Sequence, residues 1–339
     1  TSYKYPSNML QEKTINVTVL RNTEPDDESN GTNNGSTGSS GGNSGTAGTE
    51  QSGQPGKYSE TKSSDKGVLL EIEPVTDNRT STITPSESAI ADALQKLKEE
   101  NKTTLIFAVA DKDDNATGKD DDGNIDLETS KLLINSGVIS AIADSQISTV
   151  TFETPLGSMS IGKETIDELK RISLGTGSEE QQDISIQISK VAPANYPDKL
   201  KELIGDRPVY DFSIMVGDKK LKDVSDTPVA LTLELDNMPE EDTSVNENQI
   251  VGAYITEDGE YKLIPLSALI DGKLVIKTSH NSIYAGLYNK VQFKDVSGWS
   301  EDYIAFLSAR GIINGKGNGN FAPKDNITRC EFVKIMAMI

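Results

Sequence analysis

The sequence predicts a multidomain chain of mixed class. A short tail (1–22) and a disordered linker (23–67) precede an α+β domain (68–200), an antiparallel β-sandwich-like domain (201–289) and a partial all-α segment (290–339). Three features carry that reading. Between Leu20 and Val68 there is no Val, Leu, Ile, Met, Phe or Trp, and Tyr58 is the only large side chain with an apolar body. From Val68 to Ile188 β-rich runs alternate with helical ones, whereas from Val209 to Thr278 β-rich runs follow one another. Beyond residue 290 the apolar spacing is helical in two short segments.

In chain order, Thr14-Ile15-Asn16-Val17-Thr18-Val19-Leu20 alternates like the last strand of a preceding β-domain, and the chain opens on Thr1, so an interior piece of a larger protein is expected. The linker is Gly, Ser, Thr, Asn and charge; it cannot bury enough surface to offset its ordering entropy, and random-coil scaling gives it a reach of about 35 to 40 Å. Val68 to Glu73 reads as a strand. Pro85-Ser86-Glu87 opens a helix through Ile90, Ala93, Leu94 and Leu97. Thr103 to Ala110 is a buried strand, Thr129 to Asn135 a helix, and Thr149 to Thr154 a strand that turns at Pro155-Leu156-Gly157-Ser158 into Met159 to Ile161. A helix over Lys163 to Arg171 and the alternating strand Ile184 to Ile188 end the unit, and the repeated strand–helix–strand order suggests an internal duplication. The second domain reads as strands at 209–216, 229–235, 250–255, 261–264 and 273–278, with Asp271-Gly272 as a hairpin turn.

In the terminal segment, Trp299, Tyr303, Phe306, Leu307 and Arg310 recur at spacings of three and four, which predicts one face of a three-turn helix, and Gly311 is its natural left-handed stop. Ile312-Ile313 then returns under the helix, a loop opens at Gly315, Gly317 and Gly319, and Phe321 and Pro323 close it. Thr328 and Glu331 form a Thr-x-x-Glu capping box ahead of Phe332, Ile335, Met336 and Ile339, so Glu331 is read as structural. Arg329 takes the first helical position, cannot serve the cap, and points outward beside free N–H groups and a positive dipole end that suit an anion.

The string Phe293-Lys294-Asp295-Val296, Trp299, Gly311-Ile312-Ile313-Asn314-Gly315, Phe321-Ala322-Pro323 and Ile327-Thr328-Arg329-Cys330-Glu331-Phe332 resembles one repeat of the S-layer homology (SLH) module. The resemblance implies attachment to an acidic, often pyruvylated, secondary cell-wall polysaccharide, with Arg329 as the arginine of the Ile-Thr-Arg-Ala-Glu motif that contacts the sugar. It implies further groove positions at Asp295 and Trp299, mainly structural, and at Gly315 of the Gly-Ile-Ile-x-Gly signature; the neighbouring Lys316 is taken with them. Cys330 stands where alanine is usual, and Lys316-Gly317-Asn318-Gly319-Asn320 replaces the usual Tyr-x-Asp-Gly-Thr loop. SLH modules that bind generally carry three repeats with grooves between them, so this segment, as one incomplete repeat, implies one wall of a groove. The run Thr278 to Gly286 leading into Phe293 is similar to the β-region that precedes SLH repeats in many clostridial and bacillar surface proteins.

Composition agrees with a wall-associated chain. Hydrophobic residues make up 35% and aromatic residues 5%. The net charge is −20, yet residues 290–339 hold seven Lys or Arg against five Asp or Glu, so the rest carries −22 and only the terminal segment suits an anionic polymer. No nucleic-acid partner is expected, because the bulk of the chain repels phosphate. No run approaches 18 apolar residues, so no membrane span is expected. The single cysteine excludes an internal disulfide.

No catalytic constellation emerges. His280 is the only histidine and reads as a strand-end residue bonding a backbone group; the lone Cys330 falls in a different domain. No cofactor is expected. The acidic loop from Asp111 to Asp126 places Asp111, Asp113 and Asn115 like the first calcium ligands of an EF-hand, but Ala116 and Asp122 replace its Gly and Glu, which favours a solvated loop over a calcium site. The expected function is a non-catalytic stalk and anchor of an exported surface protein at the cell wall. The alternative is the tether of a polysaccharide-degrading enzyme whose catalytic domain lies upstream.

Overall fold

The chain from Ser59 onward alternates between two β-sheets, and the strand–helix–strand steps carry it from one to the other. The computed structural model describes residues 59–110, 127–175, 181–192, 196–221, 229–235, 246–256 and 258–338. β1 (Ser59–Ser64) and β2 (Gly67–Ile72) form a hairpin, followed by the shorter hairpin β3 (Val75–Asp77) and β4 (Thr80–Ile83). α1 (Glu87–Glu99) leads to β5 (Thr104–Val109), α2 (Ser136–Ala143) joins β6 (Thr129–Ile134) to β7 (Thr149–Thr154), and α3 (Lys163–Ser173) joins β8 (Gly157–Gly162) to β9 (Ile184–Lys190). After α4 (Asp198–Ile204) come β10 (Val209–Val216), β11 (Lys219–Lys220), β12 (Val229–Glu234), β13 (Ile250–Ile255), β14 (Tyr261–Leu263), β15 (Ser267–Ile270), β16 (Lys273–Thr278) and β17 (Ser282–Tyr288). The helices α5 (Glu301–Ala309) and α6 (Arg329–Met338) follow.

Among the described residues the first sheet runs β1-β2-β5-β7-β8-β12-β16-β15, and the second runs β14-β13-β17-β10-β9-β6-β4-β3 with β11 on β10. Pairing is antiparallel except for β2 with β5, β5 with β7 and β4 with β6, which are the pairs that crossovers produce. The helices start where their caps dictate: Ser86 Oγ accepts the Ala89 N–H at 3.2 Å for α1, and Asn135 Oδ1 accepts the Val138 N–H at 2.8 Å for α2. One apolar core takes Leu70, Phe107 and Phe152 from the first sheet, Ile186, Phe212 and Tyr284 from the second, and Ile90, Ile139 and Ile166 from α1 to α3. The outer face of the second sheet has its own cover: Leu200 and Ile204 of α4 pack on Val251, Ala253, Ile255, Ala285 and Leu287. Strict alternation along β13 sends Val251, Ala253 and Ile255 to that face while Ile250 faces the main core.

The sheets meet at one corner. A Cβ on Gly252 of β13 would lie 2.8 Å from Ile276 Cδ1 and 2.9 Å from Ser267 Cβ, so only glycine allows β13 to approach β15 and β16 this closely. Ser267 Oγ accepts the Gly252 N–H at 2.9 Å and donates to the Ile264 carbonyl at 2.7 Å, which satisfies the backbone where the chain leaves one sheet for the other.

Several expectations change. The helix expected at Thr129 to Asn135 is β6, in which Ser130, Leu132 and Ile134 are buried in alternation; the helix begins one residue after that window, with Asn135 as its cap. The linker expected to reach residue 67 ends earlier, because Ser59–Ser64 is an edge strand. Its ladder needs only backbone groups on β2, and Lys96 Nζ on the Thr61 carbonyl (3.1 Å) and Lys102 Nζ on the Ser64 carbonyl (2.9 Å) tie it down without apolar side chains. The boundary expected near residue 200 runs through both sheets: β12 pairs with β8, and β10 pairs with β9. Residues 59–288 therefore build one two-sheet body instead of the expected α+β and β-sandwich-like domains in series. β15 and α4 were not anticipated, being short and weakly periodic. The tail, the rest of the linker and the whole acidic loop, including Asp111, Asp113 and Asn115, lie outside the described residues.

Candidate functional site

The best candidate for function is the positively balanced segment that follows β17. The chain leaves that strand through residues 289–297, makes a short 3-10 turn at Gly298–Ser300 and enters α5. The helix buries Ile304, Ala305, Ser308 and Ala309, together with Arg310 just beyond it. This differs from the face the spacing predicts. Trp299 is 85% exposed and Tyr303 47% exposed, meeting edge to face at 6.3 Å, and Phe306 and Leu307 are half-buried. Large side chains dominate a periodicity argument, whereas Ala305, Ser308 and Ala309 form the face that lets the helix backbone come close to its neighbour.

The end of α5 is a Schellman motif. The Gly311 N–H reaches the Ser308 carbonyl (3.0 Å), the Ile312 N–H reaches the Leu307 carbonyl (3.0 Å), and Gly311 has φ +70°. Ile312 is buried, as the return of the chain under the helix requires.

Asp295 and Gly315 shape the loop. Asp295 accepts the Phe321 N–H on Oδ1 (2.8 Å) and the Ala322 N–H on Oδ2 (2.7 Å), and the Phe321 amide, aided by that of Ala322, holds its carboxyl below the usual carboxylate range. A Cβ on Gly315 would lie 2.5 Å from Phe293 Cε1 and 2.7 Å from the Asn320 carbonyl oxygen. That oxygen accepts the Lys316 N–H at 2.8 Å, and the Gly319 carbonyl accepts the Lys294 N–H at 2.9 Å, so the loop is closed by backbone bonds. Phe293 and Phe321 pack across it with ring centroids 5.4 Å apart.

The second helix starts at the capping box. Glu331 Oε2 accepts the Thr328 N–H (2.8 Å) and Thr328 hydroxyl (2.8 Å), and Thr328 Oγ1 accepts the Glu331 N–H at 3.2 Å. Glu331 also accepts from Lys316 Nζ, and that contact first, then the Thr328 N–H, lowers its carboxyl to about 2. Lys316 is thus engaged inside the repeat. Arg329 is exposed and makes no hydrogen bond or ion pair among the described residues, at the N-terminus of α6. Lys334 Nζ donates to the Gly311 carbonyl at 3.0 Å and ties α6 to the end of α5. Of the apolar run on α6, Phe332 is 55% and Met336 56% exposed, whereas Ile335 is half-buried. Ile339 lies outside the described residues.

The predicted residues therefore separate by role. Asp295 and Gly315 hold the loop, Lys316 braces the capping carboxylate, and Trp299 and Arg329 present free surface. A groove of about 220 Å³ beside α5 is lined by Tyr288, Phe293, Glu301 and Ile304 among others, and contains none of these five. Elsewhere, His280 Nδ1 lies 3.1 Å from the Tyr284 hydroxyl, its ring stacks on Tyr284 at 6.0 Å, and Tyr254 meets it edge-on at 4.6 Å. Among the described residues no cluster of three His, Cys, Asp or Glu could hold a metal, and no helix is long and apolar enough to cross a membrane. The spacing placed Arg310 on the predicted face of this helix, beside the helix-stopping glycine, but did not mark it as buried.

Residues 292–333 match the family model of the S-layer homology domain. No curated protein and no solved structure matches the chain. The chain thus carries an SLH domain at the segment where the capping box, the Schellman stop and the closed loop stand. SLH domains bind secondary cell-wall polymers, and the domain indicates a surface protein anchored to the cell wall.

Proposed function

With the S-layer homology domain as premise, we propose that residues 59–338 are the non-catalytic stalk and anchoring region of an exported bacterial surface protein. It is held non-covalently to an anionic secondary cell-wall polysaccharide. The observation that carries this reading is the contrast between neighbours in the motif. Glu331 and Lys316 satisfy each other inside the repeat, whereas Arg329, one helical position past the cap, has its guanidinium in solvent beside unsatisfied N–H groups. A planar fork of N–H donors at a positive helix end suits a carboxylate-bearing sugar. The continuous core shared by both sheets supports the spacer role, since it makes a stiff body next to the anchor.

The test is retention by purified wall sacculi of the chain extended by two further SLH repeats, with and without Arg329→Ala. Retention lost in the variant is the expected result. Because Arg329 is exposed and makes no hydrogen bond or ion pair among the described residues, its removal should leave stability within about 0.5 kcal/mol. Equal retention of the variant counts against Arg329, and no retention of the unmutated chain refutes anchoring through this module.

A further inference from the structure

Among the described residues Arg310 is the largest fully buried side chain, at 1% exposed. Its Nε donates to the Ser267 carbonyl at 2.7 Å, Nη1 to the Asn248 carbonyl at 2.8 Å and to the Phe306 carbonyl at 3.0 Å, and Nη2 to the Ile250 carbonyl at 3.0 Å. The guanidinium carbon sits 3.5 Å from the centroid of the Phe306 ring. Ser267 belongs to β15, at the edge of the first sheet, Ile250 opens β13 of the second, and Asn248 lies in the 3-10 turn before it. One side chain from the end of the SLH helix thus engages both sheets at the corner where they meet.

Other bonds fasten the same junction. Asn289 Nδ2 donates to the Ala309 carbonyl at 2.6 Å. The Gln249 side chain reads Val291 on both sides, accepting its N–H and donating to its carbonyl, each at 2.9 Å. The start of the segment from β17 into the repeat, Asn289 to Val291, is therefore bonded to Gln249 before β13 on one side and to the end of α5 on the other. On the far side of Arg310, the Gly311 carbonyl receives Lys334 of α6. A continuous set of bonds links the corner of the sandwich, through Arg310 and Gly311, to the helix that carries Arg329.

We infer that the sandwich holds the SLH repeat in one fixed orientation, with Arg310 as the positioning residue of an interface within the chain. The repeat is a rigid extension of the stalk. A guanidinium suits this position because its planar donors diverge toward several carbonyls at once; an ammonium has one nitrogen and cannot reach the same set. This inference rests on the geometry of the junction and is independent of what the repeat binds.

The test is the distance distribution between spin labels at Asp92→Cys on α1 and Asp302→Cys on α5, both exposed, in a Cys330→Ser background. The parent distribution should be a single narrow peak. Arg310→Met, which keeps an apolar stem and removes every donor, should broaden it or add a second population while the far-ultraviolet circular dichroism of the sheets is retained, and Arg310→Lys should not restore the narrow peak. A broad parent distribution overturns the inference without any variant, and so does a narrow peak in both variants. Loss of the sandwich fold in both variants also overturns it, since Arg310 would then be a folding residue of the core.

Discussion

Gly315→Ala tests whether the loop of the SLH repeat is set by close packing or by ligand contact. Gly315 is not among the residues with positive φ, so its backbone accepts an L side chain, and the shorter list of unfolded conformations for alanine would stabilise by about 0.4 to 1 kcal/mol. Against that, the new Cβ would stand 2.5 Å from Phe293 Cε1 and 2.7 Å from the Asn320 carbonyl oxygen. The ring is half-buried and can turn aside, but the carbonyl is backbone and already accepts the Lys316 N–H, so relief there means opening the loop. Overpacking of this kind costs about 1 to 3 kcal/mol, and the net expectation is destabilisation by about 1 to 2 kcal/mol. Urea unfolding at unchanged m-value measures it, with Phe293→Leu as the second arm of a double-mutant cycle. Phe293→Leu removes the Cε1 contact and leaves the carbonyl one, so the pair should be less destabilised than the sum by more than about 0.5 kcal/mol. A Gly315→Ala protein as stable as the parent, or strictly additive costs, refutes the packing explanation.

Two further outcomes follow from single contacts. The Glu331 carboxyl has a folded value of about 2 against an ordinary 4.5, so its contribution is present above pH 4.5 and lost as pH falls through about 2. Glu331→Gln should therefore unfold more easily than the parent near neutrality and equally easily at pH 2, by a margin that exposure to solvent and salt keeps small; a gap that persists at pH 2 would show that the carboxylate charge is not the cause. Asn135→Ala should lower stability by about 0.5 to 2 kcal/mol, read as a reduced melting temperature, because the Val138 N–H loses its cap; an unchanged melting temperature argues that β6 and α2 fix the junction without it.

What could be read from residue order alone was local. The Thr328 and Glu331 box and the Gly311 stop formed as their spacing requires, because each depends on bonds between residues a few positions apart; the strands at 104–109, 149–154 and 184–190 were legible as β-rich runs, though not which strands they pair with. The segment Thr129 to Asn135 went the other way. Its Leu132 and Ile134 fit a helix face as well as a strand face over so short a run, and pairing with β4 and β9 decided it. Ser59–Ser64 was invisible as a strand because an edge strand is made by its neighbour's unpaired backbone groups.

The sequence by itself determined the identity of the repeat, its capping carboxylate and the outward position of Arg329, since all of these are written within the repeat and act over one or two helical turns. Only the tertiary structure decided that residues 68–200 and 201–288 share two sheets, and that the buried side of α5 is Ala305, Ser308 and Arg310 instead of Trp299 and Tyr303. The physical reason is the same in both cases. Strand pairing and helix docking satisfy backbone groups far apart in the chain, and the Ser267, Asn248 and Ile250 carbonyls that bury Arg310 lie 43, 62 and 60 residues from it, beyond the reach of any spacing rule.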